Sequence, residues 1–194
     1  MSPLASIPNI ITLMRIALIP IFILIFYLPF SWAHAVAGII FALASITDWL
    51  DGYLARKWEQ MSPFGAFLDP VADKLLVASS LLLLVGEKDL DYLTIPAIII
   101  VGREIVISAL REWMAEVGGR ASVTVSYIGK IKTTVQMIAL IMLIMFHPSQ
   151  SIIGATGFVL LYVAAILTLW SMFVYLKIAW PELMSSAEKH RHLH

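Results

Sequence analysis

The chain has 194 residues, 60% of them hydrophobic and 13% charged, with a mean hydropathy of +0.90. An ordinary soluble domain carries roughly 25% charged residues, so this chain lacks the charge to coat a soluble globule and is too apolar to be disordered, which leaves a helical membrane protein of one domain. Thirteen basic and thirteen acidic residues cancel and there is no cysteine, which excludes a global field for nucleic acid, a disulfide framework and thiol chemistry.

Residues Met1 to Asn9 hold no basic residue ahead of the first apolar run, so a cleaved signal peptide is not expected. A helix needs about 20 apolar residues to cross the hydrocarbon core. No charge occurs from Ile16 to Thr47, and Pro29-Phe30-Ser31-Trp32 divides that run. It predicts a first span over Asn9 to Leu28 and a second over Ala33 to Arg56. A third is predicted from Pro70 to Gly86 and a fourth from Tyr92 toward Glu116. The uncharged stretch from Thr133 to Leu176, divided by His147-Pro148-Ser149-Gln150-Ser151, gives the fifth and sixth. The apolar runs are too long for barrel strands, and no internal repeat is evident. The expected architecture is an all-α integral membrane protein of six transmembrane helices. One transmembrane domain covers residues 1–180, and residues 181–194 form a short tail. His190, His192 and His194 read as part of a solvated basic tail rather than a metal site.

Six spans put both termini on one side. The loops of the other side, 29–33, 87–91 and 147–151, contain a single basic residue, Lys88. The termini side receives Arg56, Lys57, Arg120, Lys130, Lys132, Lys177, Lys189 and Arg191. The positive-inside rule then puts both termini in the cytoplasm. Trp32, Trp58, Trp113 and Trp180 lie near span ends, as interfacial anchors do.

Four of the aspartates fall close together. Asp48 and Asp51 are spaced i,i+3 at the end of span two, and Asp69 and Asp73 are spaced i,i+4 at the start of span three, so each pair occupies one helical face. Met61-Ser62-Pro63-Phe64-Gly65 is turn-rich, and a short link makes the two helices antiparallel neighbours whose carboxylates converge. Asp48 lies about 12 Å along the axis from Arg56. An unpaired carboxylate at membrane depth costs about 2.5–3.5 kcal/mol or more, and four together repel one another. A divalent cation relieves both, and an aspartate-only donor set suits Mg²⁺ or Mn²⁺. The alternative is that these are ordinary caps or ion pairs. Asp69 before Pro70 has the form of an N-cap followed by Pro at the first helical position, which accounts for one of the four. Gly52 and Arg56 follow Asp48 at i+4 and i+8. Gly52 lets a ligand approach the backbone, Arg56 offers a planar fork to a phosphate, and Gly65 permits a tight turn, although glycines in helices also serve packing. A metal, an arginine and backbone access are the parts of a pyrophosphate site.

Asp48-Trp49-Leu50-Asp51-Gly52-Tyr53-Leu54-Ala55-Arg56, Gly65 after eight residues, and Asp69 and Asp73 after three and three resemble the full CDP-alcohol phosphotransferase signature, D-x2-D-G-x2-A-R-x8-G-x3-D-x3-D. The resemblance runs along nearly the whole chain. Pro8-Asn9-Ile10-Ile11-Thr12-Leu13-Met14-Arg15 resembles the amino-terminal substrate segment of that family. Gly102-Arg103-Glu104, Arg111-Glu112-Trp113 and the stretch from Tyr127 to Thr134 are similar to the bacterial members that make phosphatidylglycerophosphate. The resemblance implies a six-helix homodimer in the bacterial inner membrane with a polar cavity open to the cytoplasm. There CDP-diacylglycerol and sn-glycerol 3-phosphate would react to give phosphatidylglycerophosphate and CMP. It implies Asp73 as general base, and Asp48, Asp51 and Asp69 as ligands of Mg²⁺ or Mn²⁺ with Asp73 sharing the metal. It further implies Asn9, Thr12, Gly52, Arg56, Ser62 and Gly65 at the CDP-diacylglycerol. Arg15 would pair with an acid within the membrane or with a lipid phosphate.

The dianionic acceptor needs cations of its own, and the candidates are Arg103, Arg111, Lys130 and Lys132. For Arg111, Lys130 and Lys132 the competing reading is interfacial snorkelling; for Arg103 it is an ion pair with Glu104. His34 and His147, near the opposite span ends, read as interfacial. Rival functions are another acceptor within the family (inositol phosphate, serine, choline or a lipid), an ion-coupled transporter, and a non-catalytic lipid-binding scaffold. Transporter sites lie near the midplane with repeat symmetry, whereas these acids cluster toward one end. A scaffold would not need a base in addition to metal ligands.

Overall fold

The computed structural model describes residues 7–57, 63–116 and 127–191, with side chains at 9–47, 65, 67–114 and 131–180. Among the described residues there are six α-helices and no strand: α1 (Ile7–Phe26), α2 (Ala33–Lys57), α3 (Pro63–Val85), α4 (Thr94–Glu116), α5 (Tyr127–Met145) and α6 (Ile152–Arg191), with a 3-10 turn at Asp91–Leu93 before α4. The chain reverses where the sequence predicts. The α1–α2 turn contains Pro29. After α3, the Gly86 amide donates to the carbonyls of Leu82 and Leu83 at 3.1 Å, and Asp89 takes a left-handed φ of 64°, a conformation that aspartate tolerates better than most residues. Ser151 caps α6, its hydroxyl accepting from the Ile153 amide at 3.1 Å.

Two boundaries differ from expectation. Helix α3 starts at Pro63 rather than Pro70, so Pro70 lies inside the helix and Asp69 is not an N-cap. Pro63 takes the first helical position, where a missing amide hydrogen is harmless, and the added turns bring Asp69 against α1. The expected tail from residue 181 continues α6 as helix to Arg191. Forty residues make that helix about 60 Å long, twice a hydrocarbon core of about 30 Å.

Among the described side chains, three stretches are long and apolar enough to cross a membrane by length and composition, Asn9–Phe26, Asp91–Met114 and Ile152–Trp180; the described parts of α2 and α5, Ala33–Thr47 and Ile131–Met145, are apolar too. Charged residues lie at the end of α2 (Asp48 and Asp51), in the first half of α3 (Asp69 and Asp73) and at the start of α5 (Lys130 and Lys132). Successive helices alternate in direction, so these charged ends share one end of the bundle. Two contacts mark that end: Thr12 of α1 meets Asp69 of α3, and Arg111 of α4 lies over Tyr175 of α6. At the other end His147 meets the Lys88 carbonyl at 3.3 Å, and His34 lies 4.0 Å from Glu87.

Helix α1 packs on α2 and α3, α5 on α6 and α2, and α4 chiefly on α6. Along α1 one stripe is buried: Asn9, Thr12 and Arg15 in its first half, Ile19, Phe22 and Phe26 in its second. The spacing keeps all six within a single helical face. The upper half is the core proper, where Phe22 meets Phe41 of α2 with ring centroids 5.9 Å apart; the lower half is polar and belongs to the site. Helices α5 and α6 approach closely at Gly157, where a Cβ would lie 2.7 Å from the Met142 Cβ and 3.2 Å from the Ala139 carbonyl. Gly157→Val should therefore cost about 1–3 kcal/mol, read as a lower unfolding midpoint in detergent. Gly102, whose Cβ position has nothing within 4 Å, is the contrast: Gly102→Ala should be neutral or stabilising by up to about 1 kcal/mol.

Candidate active site

Asp48 and Asp51 ride on the last ten residues of α2, helical through Lys57. Their side chains, with those of Gly52, Arg56 and Lys130, lie outside the described ones, and Ser62 lies outside the described residues. Gly65, Asp69 and Asp73 follow at i, i+4 and i+8 on α3, one face of one helix. The Thr12 hydroxyl, buried at 1% exposure, donates to Asp69 Oδ1 at 2.6 Å. A hydrogen bond to a carboxylate is stronger than a neutral one, so Thr12 fixes the Asp69 rotamer and leaves Oδ2 and further lone pairs for a ligand. Asn9 is buried one turn earlier on the same stripe. Thus Thr12, predicted at the lipid nucleotide, touches an acid of the predicted metal set.

Among the described side chains no three acids or histidines lie close enough to hold a metal ion. The predicted set includes Asp48 and Asp51, whose side chains fall outside that description. The donors themselves fit a hard divalent cation: they are all carboxylate oxygens, with no imidazole or thiolate among them.

A cavity of about 220 Å³ opens between α3, α4 and α5, and its polar lining is Asp73, Lys74, Glu104 and Gln136. Helices α4 and α5 share little direct packing; side chains bridge them instead. Glu104 Oε1 accepts from Arg103 Nη1 at 2.8 Å and from Lys132 Nζ at 2.9 Å. Arg103 Nη2 reaches the Ser171 hydroxyl of α6 at 3.5 Å, and Arg103 Nε is buried without a partner. The Asp73 carboxylate also acts electrostatically on Lys132.

The expected ion pair of Arg103 with Glu104 is therefore present, but with a second cation on the same carboxylate. Two positive charges against one negative leave a surplus and spare donors. Snorkelling does not describe Lys132, which is 2% exposed. Arg111, eight residues or about 12 Å further along α4, is exposed and sits over the Tyr175 ring at 5.7 Å from its centroid, away from the Arg103–Lys132 pair.

Three residues of this region, Lys74, Glu104 and Gln136, escaped the sequence reading as site members. Glu104 was legible only as a neighbour of Arg103, because its contact with Lys132 spans 28 positions. Gln136 is uncharged and sits in an apolar run, so no motif draws attention to it. Its one signal is its i+4 spacing from Lys132.

Comparison with known proteins gives a consistent result. Residues 5–170 match the CDP-alcohol phosphatidyltransferase family. The chain is similar to the CDP-diacylglycerol–glycerol-3-phosphate 3-phosphatidyltransferase of Yersinia enterocolitica, at 55% identity over 179 residues, which is 92% of this chain and 97% of that protein. Proteins of the same name from Pectobacterium atrosepticum and Sodalis glossinidius are each 54% identical with the same coverage.

Glu104→Gln would leave two cations facing each other. Removing one partner of a buried pair costs about 3–5 kcal/mol. Glu104 keeps 30% of its side-chain surface, so the low end, about 3 kcal/mol, is expected as a fall in unfolding midpoint in detergent. Adding Lys132→Met should recover much of it. No fall in the single variant would mean that solvent, not Glu104, balances these cations.

Proposed function

The chain belongs to the CDP-alcohol phosphatidyltransferase family, and we propose that it transfers the phosphatidyl group of CDP-diacylglycerol to sn-glycerol 3-phosphate, releasing CMP. The observation that carries this is a cavity lined by Asp73 on one wall and by Glu104 on another, with Arg103 and Lys132 both bonded to that glutamate. A proton acceptor thus faces the same space as the carboxylate that holds two cations. The names of the relatives, at 54–55% identity over nearly the full chain, favour glycerol phosphate over serine or inositol phosphate as acceptor.

The primary hydroxyl of the acceptor attacks the lipid-side phosphorus, the bond from that phosphorus to CMP breaks, and the hydroxyl proton passes to Asp73. Arg103 and Lys132 hold the acceptor phosphate; Arg111 and Lys130, nearer the helix ends, draw the dianion inward. Asn9, Gly52, Arg56, Ser62 and Gly65 receive the CDP moiety. Thr12 orients Asp69 from beside it. Asp48, Asp51 and Asp69, with Asp73 sharing, would hold Mg²⁺ or Mn²⁺, which when bound supplies neutralisation of phosphate charge. Positioning and fixed charge supply most of the rate in such transfers.

The protein works as a homodimer in the bacterial inner membrane, with the site facing the cytoplasm. The orientation rests on the distribution of basic residues, only Lys88 falling on the opposite side.

Purified protein with CDP-diacylglycerol, Mg²⁺ and labelled sn-glycerol 3-phosphate should give a labelled lipid and CMP, and a chelator should stop the reaction. Product from serine or inositol phosphate in place of glycerol phosphate would overturn the acceptor assignment. Asp73→Asn should fold and lose about a hundredfold to ten-thousandfold in turnover; near-normal turnover would remove Asp73 as base. The chain has no cysteine, so single cysteines report topology cleanly. An impermeant maleimide should label Ser149→Cys in intact spheroplasts and Ser2→Cys only after lysis, and the reverse pattern would invert the orientation.

A further inference from the structure

Gln136 is 4% exposed, and its side-chain Oε1 is buried with no hydrogen-bond partner. It lines the cavity that also contains Asp73 and Glu104. An amide oxygen left unmet in apolar surroundings is costly, and buried polar groups are nearly always paired. The cavity that Gln136 lines is where a partner for this atom can enter. Lys132 precedes Gln136 by four residues on α5, so the two share a helical face and lie about 6 Å apart along the axis. On the reading that this cavity takes glycerol phosphate, the acceptor has three polar groups to satisfy: a phosphate, the primary hydroxyl that reacts, and a secondary hydroxyl that does not. Arg103 and Lys132 serve the first and Asp73 the second.

We propose that Gln136 reads the third: its side-chain amide accepts a hydrogen bond from the secondary hydroxyl of the acceptor and makes the site selective for a polyol phosphate over a simple hydroxyalkyl phosphate. A hydroxyl suits the amide in either orientation, because it both donates and accepts. The role is distinct from the charge contacts, which any phosphate of similar length could use. It also explains a polar residue in the otherwise apolar wall formed by Val77, Val101, Ile105 and Met137. A site built to hydrogen-bond a hydroxyl discriminates strongly against an analogue lacking it, because its own buried group is then left unpaired.

The test compares sn-glycerol 3-phosphate with 3-hydroxypropyl phosphate, which lacks only the secondary hydroxyl, in full-length protein with CDP-diacylglycerol and Mg²⁺. Wild type should prefer the natural acceptor by at least about tenfold in kcat/KM. Gln136→Met, similar in size and without the amide, should lose activity with glycerol phosphate while its preference collapses to within about threefold. Gln136→Glu, which keeps an acceptor oxygen, should retain the preference. A ratio of two acceptors within one variant is insensitive to the fraction of protein folded. A wild-type ratio near one, or an undiminished ratio in Gln136→Met, overturns the role of Gln136. If Gln136→Met is inactive with both acceptors, Gln136→Glu decides: a kept preference supports the role, a lost preference overturns it. The absence of product from wild type with glycerol phosphate would instead overturn the acceptor assignment on which the inference rests.

Discussion

Glu104 stands 2.8 Å from Arg103 and 2.9 Å from Lys132, in a gap between α4 and α5 that backbone packing does not close. Charges inside an apolar bundle have no water to fall back on, so each must be met by another protein group or by a ligand. Glu104 meets both cations and the Asp73 carboxylate acts on Lys132 as well; Lys132 is almost wholly buried, and Arg103 Nε has no hydrogen-bond partner. On the facing wall Asp69 and Asp73 stand on one face of α3, and the Thr12 hydroxyl donates to Oδ1 of the first.

Charged groups interrupt the apolar surface of the helices that carry them: Asp69, Asp73 and Lys74 fall within α3, and Lys132 lies near the start of α5. Alternating chain direction gathers the start of α1, the end of α2, and the starts of α3 and α5 at one end of the bundle. The stripe on α1 shows the same division at residue scale, with Asn9, Thr12 and Arg15 on the site half and Ile19, Phe22 and Phe26 in the aromatic core. One helical face is therefore polar beside Asp69 at one end and apolar core at the other.

Local signals in the sequence were enough for the helices and their reversals. Uninterrupted apolar runs and Pro29 placed the first, second and fourth helices within about two residues at each end, the segment around His147 placed the turn between the last two, and the fixed spacing of the aspartates identified the acidic face of α3. The start of α3 was misread because Pro70 looks like a first helical residue; Pro63 serves that role, and the tertiary contact of Asp69 with Thr12 stabilises the turns between. What remained out of reach depends on long-range packing. No spacing says that Lys132 meets Glu104 across 28 positions. Nor does any say that Arg111, similar in type to Arg103, turns instead toward Tyr175. Gln136 was silent for a different reason: what distinguishes it is a missing partner, and a sequence does not display missing partners.

The sign of the surplus also narrows the choice of acceptor within the family. The signature from Asp48 to Asp73 handles the CDP portion and is common to enzymes with different second substrates, so it carries no information about the acceptor. The Arg103–Glu104–Lys132 group does. A zwitterion such as serine brings its own ammonium and would leave one cation of this group unmet, and choline would add a third positive charge beside Lys132. A phosphate monoester supplies the negative charge that Glu104 alone does not. Charge thus leaves the sugar and polyol phosphates.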